Sequence, residues 1–161
     1  MSAKDISDLW NQYHATKDCI SAAIPADTYK LLQIKAKTHP MFILPLPHTE
    51  GIEFYILQFD YHQVHFTSLL EYKSNLSSAR PHLSLIHYTD LADSKGIVLM
   101  RGEISSDPRM LTPQQAQFLA LQMQQFYVTG GQEKQKLLET FTFHPQNFNY
   151  EQLIEAANKL D

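Results

Sequence analysis

Cysteine and glycine are both scarce in this chain of 161 residues, which has one cysteine, Cys19, and five glycines. A single thiol cannot form an internal disulfide and cannot supply a thiolate metal cluster. Neither G-x-G-x-x-G nor G-x-x-x-x-G-K-[ST] occurs, and the adjacent Gly130 and Gly131 follow a helical pattern, which suits a helix C-cap better than a phosphate cradle. The sequence therefore gives no sign of a disulfide scaffold or of a known nucleotide-binding device.

Excess positive charge and long apolar runs are also lacking. Thirteen Lys and Arg against seventeen Asp and Glu give a formal net charge of -4, and the basic residues are scattered, so we expect no nucleic-acid partner. No apolar run approaches the roughly 20 residues that cross a bilayer, so we expect no transmembrane segment. The first 25 residues contain three aspartates and no arginine, unlike a secretory signal or a mitochondrial presequence.

The N-terminal third of the chain predicts two helices followed by a proline-rich stretch. Apolar residues at i, i+3, i+4 and i+7 indicate a short amphipathic helix over residues 3–13. They are Ile6, Leu9, Trp10 and Tyr13. A second helix is expected to begin near Pro25, whose fixed φ suits a first helical turn, and to end before Pro40. Three prolines between positions 40 and 47 allow residues 41–46 only an edge strand or an extended arm.

The middle of the chain predicts strands. Residues 52–59 are almost continuously apolar, and residues 64–73 alternate apolar with polar after a short polar break, which indicates a β-hairpin. Residues 82–89 alternate again. Residues 97–100 are apolar throughout, as in a strand that is covered on both faces. We expect a mostly antiparallel meander.

Helical periodicity returns after the strands. One helix is expected from Pro113 to the two glycines, and two more over residues 133–143 and 150–160. Because helices precede and follow the strands, the chain is predicted to be α+β, with a mostly antiparallel sheet of four to five or more strands flanked by N- and C-terminal helices.

No linker or internal repeat divides the chain. We therefore expect a single domain over residues 1–161, with residues 1–24 as an N-terminal helical arm and residues 25–161 as the core.

Eight histidines raise the question of a metal site. His62 and His65 lie three residues apart across a turn and a strand, and the two-residue period of a strand sends them to different faces. His82 and His87 are also an odd number of residues apart, so a straight strand cannot direct both at one ion. We therefore expect no metal site, with His62 as a turn residue and His87 as a hydrogen-bonded histidine of the core.

Two charged residues, Arg101 and Glu103, flank Gly102 at the end of the last predicted strand. Residues two apart point to one face of a strand, so the pair can form an ion pair, orient a ligand or contact a partner. The ion pair is the preferred interpretation. No G-x-S-x-G motif indicates a hydrolase, and we expect Cys19 to be an inert thiol.

The helix that begins near Pro113 has a second, uncharged side. Phe118 and Leu121 lie on that side among glutamines. Because glutamine costs less to desolvate than Lys or Glu, such a side is easily covered by protein. Two coverings remain open, the terminal helices of the same domain and a partner protein.

Several ordered segments resemble one known family. Residues 39–46 and 66–73 match its pattern, residues 88–103 look like its signature, and the similarity continues towards the C-terminus. On these segments the chain is identified as a member of the mitochondrial assembly factors that chaperone the β subunit of the F1 head of ATP synthase.

The resemblance implies a mitochondrial matrix protein without catalysis. We also expect no cofactor and no metal, and we expect the protein to be a monomer. Members of the family are expected to bind the unassembled β subunit and to prevent its aggregation until the α subunit takes its place. The family fold is an antiparallel sheet flanked by helices, in agreement with the pattern above. A presequence, which precursors in the family carry, is not recognisable in this chain.

The contact surface for the β subunit is a hypothesis from the residues. It combines apolar and aromatic side chains of the proline-rich stretch and the hairpin with Arg101 and the uncharged helix side. The proposed contact residues are Phe42, Leu44, Phe54, Tyr55, Arg101, Phe118 and Leu121. Two alternatives are a carrier of a small apolar ligand, which needs a cavity beside the sheet, and an enzyme that uses Arg101 and Glu103.

Overall fold

Six strands among the described residues pair into one antiparallel sheet. The computed structural model describes residues 1–75, 78–106 and 109–159. The strands are β1 (Cys19–Pro25), β2 (Met41–His48), β3 (Gly51–Asp60), β4 (Gln63–Ser68), β5 (Leu83–Tyr88) and β6 (Ile97–Ile104). They lie in the order β1-β6-β5-β4-β3-β2, so β2 to β6 form the expected meander and β1 adds to β6 at the far edge.

Helices precede, interrupt and follow the strands. They are α1 (Ala3–Ala15), α2 (Ala26–Thr38), α3 (Leu69–Ser74), α4 (Ala92–Lys95), α5 (Pro113–Gln124), α6 (Gln132–Phe143) and α7 (Tyr150–Ala157). A π-helix, Gln125–Thr129, continues α5, and a 3-10 turn, Pro145–Asn147, follows α6. The α+β class, with helices at both ends of an antiparallel sheet, is confirmed. The end of the last predicted helix, at residue 160, lies outside the described residues.

Strand β1 is the main departure from the sequence pattern, which places residues 19–24 in a helical arm. The helix ends at Ala15, and β1 pairs with β6 in a register that sets Ile20 opposite Gly102. A Cβ atom at Gly102 would lie 2.4 Å from Cγ1 of Ile20, so the missing side chain allows this close approach.

The alternating run after the hairpin also ends earlier than predicted. Strand β4 ends at Ser68, whose Oγ accepts a hydrogen bond from the backbone N–H of Glu71 at 3.2 Å. This side-chain cap starts α3, so residues 69–73 are helical although their apolar pattern extends that of the strand.

The core lies on the sheet face that α2, α5 and the π-helix cover. Its largest buried aromatic side chains come from the strands and from the π-helix, and Phe42 in β2 lies 5.2 Å from Phe126 between ring centroids. The buried hydroxyl of Tyr127 donates to the carbonyl oxygen of His39 at 2.8 Å. The π-helix thus fixes the end of α2 against the start of β2.

The opposite sheet face carries α1. The indole Nε1–H of Trp10 donates to the carbonyl oxygen of Met100 at 2.9 Å, and its ring lies 5.7 Å from that of Tyr88. The Oγ of Ser21 donates to Oδ1 of Asn11 at 2.9 Å. The N-terminal helix therefore docks on the strands of its own chain.

Candidate functional site

Three of the proposed contact residues lie inside the core. Phe42, Leu44 and Tyr55 have no exposed surface. Strand β2 is an edge strand, as the prolines predict, but both of these β2 side chains point inward and pack under the C-terminal helices. In this conformation the three residues hold the sheet to its helices and have no area to offer to a partner.

The other four proposed residues are accessible but lie in different places. Phe54 is half-buried against Tyr150 of α7, with ring centroids 5.3 Å apart, and Phe118 is half-buried against the core. Arg101 points to the sheet face that carries α1, since its neighbour Met100 faces the core. Leu121 on α5 is 47% exposed. The proposed residues do not converge on one surface.

The uncharged side of α5 is partly covered by the chain itself. Gln122 and Gln125 are buried, and Nε2 of Gln122 donates to the carbonyl oxygen of Ala157 in α7 at 2.9 Å. A terminal helix thus covers part of this side, as one of the two open alternatives states. Leu121 and its neighbour Gln117 remain exposed.

An apolar cavity of about 190 Å³ lies beside Leu121, between β1, α2 and α5. Its floor includes Leu85 and Met100 of the sheet, and its rim includes Leu121 and Gln117. None of its lining residues is Asp, Glu, Lys or Arg. A binding cavity is expected to have such a lining, which favours an uncharged ligand or side chain.

The sequence pattern does not reveal this cavity because it does not predict β1. Ile20, Ala22 and Ile24 line one side of it, and they alternate at the two-residue period of a strand. The alternation covers only these three residues, one of them an alanine, and is too short to predict a strand before Pro25.

A polar cluster closes the end of the cavity towards the β3–β4 turn. The hydroxyl of Tyr29 accepts from Nε2 of Gln33 at 2.8 Å and shares a hydrogen bond of 2.6 Å with Nδ1 of His62. Nδ1–H of His87 donates to the carbonyl oxygen of His62 at 2.9 Å. The expectations for His62 and His87 are confirmed, one in a turn and the other in the core.

Burial shifts the pKa values of Tyr29 and His87, the two members of this cluster that lie in the core. It raises the pKa of Tyr29 to about 12, against the opposing hydrogen bond from Gln33. It lowers the pKa of His87 to about 4, and Nε2 of His87 has no hydrogen-bond partner within the described residues. Tyr29 and His87 are therefore neutral at pH 7 and add no charge to the cavity.

The charged pair lies on the other sheet face in a polar row. Nε of Arg101 lies 3.5 Å from Oε2 of Glu103, as in the preferred interpretation. Across the sheet, Glu103 pairs with Ser84, and Oγ of Ser84 lies 2.8 Å from Nδ1 of His65. Glu103 thus lies next to Ser84 and not next to His65, whereas in a hydrolase triad the carboxylate hydrogen-bonds to the histidine.

Residues 1–75, 78–106 and 109–159 contain no group of three or more His, Cys, Asp and Glu side chains placed to hold a metal ion. Over the same residues no helix has the length and apolar character to span a bilayer.

The α+β fold thus presents one uncharged cavity beside a sheet edge, a candidate site for an apolar ligand or side chain. Residues 1–154 match the family model described as ATP11 protein, and the chain belongs to that family. The resemblance of residues 39–46, 66–73 and 88–103 is thereby confirmed.

Curated relatives match over most of the chain. "ATP synthase mitochondrial F1 complex assembly factor 1" of Danio rerio is 41% identical over 153 residues, and the protein of the same name from Homo sapiens is 39% identical. Each alignment covers 95% of this chain, and 50% and 46% of the respective relative. "Protein atp11, mitochondrial" of Schizosaccharomyces pombe is 37% identical over 148 residues, 85% of this chain and 51% of its own length. The chain spans about half the length of the curated relatives that it matches.

Proposed function

We propose that this chain is an assembly factor of the mitochondrial F1 ATP synthase, which binds the unassembled β subunit, keeps it from aggregating and passes it to the α subunit. One observation carries the proposal: relatives 41% and 39% identical over 95% of the chain have F1 assembly in their names. The choice of the β subunit and the matrix location rest on the family resemblance.

Simple binding physics is enough for such a role. A free F1 subunit exposes surface that its neighbour later buries, and a holding protein must cover part of that surface. A contact of about 800 Å² per partner gives affinities from micromolar to nanomolar or tighter, depending on its anchor residues more than on its area. Release follows by mass action when the α subunit covers the same surface more extensively. The proposed role needs no catalytic step.

Dilution of the separate F1 subunits from denaturant tests the proposal. We expect an equimolar amount of the chain to slow the increase in light scattering of the β subunit and to leave that of the α subunit unchanged. We also expect the chain to dissociate from the β subunit when the α subunit is added. An unrelated protein at the same concentration is the control for crowding. If the β subunit aggregates equally fast with the chain and with the control protein, the proposed function is wrong.

A carrier of a small apolar ligand is a second candidate, and the cavity of about 190 Å³ favours it. An engineered cavity of about 150 Å³ is enough to bind benzene. Titration with indole, followed by the shifts of methyl resonances around the cavity, distinguishes this candidate. An Ala120→Phe variant, which fills the cavity, serves as the control.

A further inference from the structure

Strand β1 forms an edge of the sheet, and α1 packs against it on the face opposite the core. Within the described residues β1 pairs with β6 alone, so its outer backbone N–H and C=O groups face no neighbouring strand. Its sequence, CISAAIP, has no charged residue, and its one proline is the last residue. Its register with β6 runs one to one from Cys19 to Pro25 without a bulge. Edge strands with no charge, bulge or internal proline are templates for pairing with another chain.

Strand β2, the opposite edge, is protected. Pro45 and Pro47 lie within it, two residues apart, and the sheet tolerates proline where the missing N–H faces outward. Residues two apart direct their backbone groups to the same side, so both prolines remove donors from the same edge. The two edges thus differ in their capacity to accept a strand, and β1 is the open one.

The cavity lies next to this open edge. Four residues of β1, from Ile20 to Ile24, contribute to its lining, and α5 contributes Leu121 at the rim. Its volume of about 190 Å³ exceeds that of a cavity that holds benzene, so one large apolar side chain fits. A strand added to β1 directs alternate side chains towards α5 and therefore towards this cavity.

We propose that β1 and the cavity form one docking site for an extended, uncharged segment of the unassembled F1 β subunit, which adds to the sheet beside β1 and inserts a large apolar side chain between β1 and α5. The inference rests on the proposed function and specifies its contact surface. Strand addition supplies affinity through backbone hydrogen bonds, and the cavity supplies selectivity for one side chain.

A second copy of the chain is a poorer occupant of the site. If β1 paired with β1 of another copy, the residues Ile20, Ala22 and Ile24 of each strand would still line the cavity of their own chain. Neither copy would then fill the cavity of the other. A client segment with a free side chain uses both features at once.

Two matched variants test the site. Leu121 and Leu31 are both leucines on helix surfaces, 47% and 54% exposed, but only Leu121 lines the cavity. We expect Leu121→Lys to weaken the binding of the F1 β subunit at least tenfold in calorimetry and Leu31→Lys to change it less than twofold. Circular dichroism and thermal unfolding of each variant establish that it is folded.

Amide hydrogen exchange of the wild-type chain provides a test that needs no variant. We expect the outward-facing amides among residues 19–24 to exchange more slowly in the complex with the β subunit. If the chain binds the β subunit while these amides are unchanged, or if both lysine variants bind alike, the docking site is wrong and the proposed function stands. Protection of the same amides by higher concentrations of the chain alone identifies a second copy as the occupant and overturns the proposal. No binding of the β subunit by the wild-type chain overturns both the site and the proposed function.

Discussion

A neutral histidine in the core makes the stability of this chain depend on pH. Burial holds the pKa of His87 at about 4, below its ordinary value of 6.5. Between these two values the unfolded chain takes up a proton that the folded chain does not, so stability falls as the pH is lowered. For this one group we expect a loss of about 2 kcal/mol between pH 7 and pH 5. Urea unfolding at the two pH values measures the total change in the free energy of unfolding.

The variant His87→Gln isolates this contribution, because its amide can still donate to the carbonyl oxygen of His62 but does not titrate. We expect its stability to fall less than that of the wild type between pH 7 and pH 5. Burial also lowers the pKa of His39 and His82, and these residues are present in both proteins, so their effects cancel in the comparison. An equal loss in the two proteins would contradict the assignment to His87.

At the scale of the element, the start of α5 depends on a capping box. Oγ1 of Thr112 accepts from the backbone N–H of Gln115 at 3.1 Å, and Oε1 of Gln115 accepts from the backbone N–H of Thr112 at 2.9 Å. Thr112→Ala removes the first of these bonds, and we expect it to lower the free energy of unfolding by about 1 kcal/mol. Thr112→Ser keeps the hydroxyl and should retain most of the stability. Urea denaturation of both variants decides, and equal losses would contradict a role for the hydroxyl.

Most elements of the fold could be predicted from periodicity and from helix signals. The helices around Trp10 and from Pro113 onwards, and the strands of the meander, appear where the pattern places them. Strand β1 could not be predicted in the same way. Alanine and serine are weak strand formers, and this segment is held in the sheet by its pairing with β6, where Gly102 leaves room for Ile20.

The candidate site was harder to predict than the fold, because apolar residues in a strand sequence do not reveal which of them end in the core. Hydrophobicity and position in an edge strand and a hairpin predict a surface role for Phe42 and Tyr55, yet both have no exposed area. The cavity depends on β1, α2 and α5, which lie far apart in the sequence. Only Leu121 of the seven proposed contact residues lines it.

At the scale of the whole molecule, Trp10 reports whether α1 and the sheet unfold together. It is the single tryptophan of the chain, and it is anchored to β6 through the carbonyl oxygen of Met100. If α1 and the sheet form one cooperative unit, the tryptophan fluorescence and the far-ultraviolet circular dichroism should give the same urea midpoint. A fluorescence midpoint at clearly lower urea would mean that α1 detaches first.

The prolines of β2 have a consequence for how far association can go. Molecules that associate by strand pairing form a fibre only when each added molecule has a second free edge strand. Here Pro45 and Pro47 block pairing at the β2 edge. A molecule that is paired through β1 therefore has no free edge strand for a further molecule. A sheet with one closed edge stops growing after a single strand has been added, so pairing through β1 does not lead to a polymer.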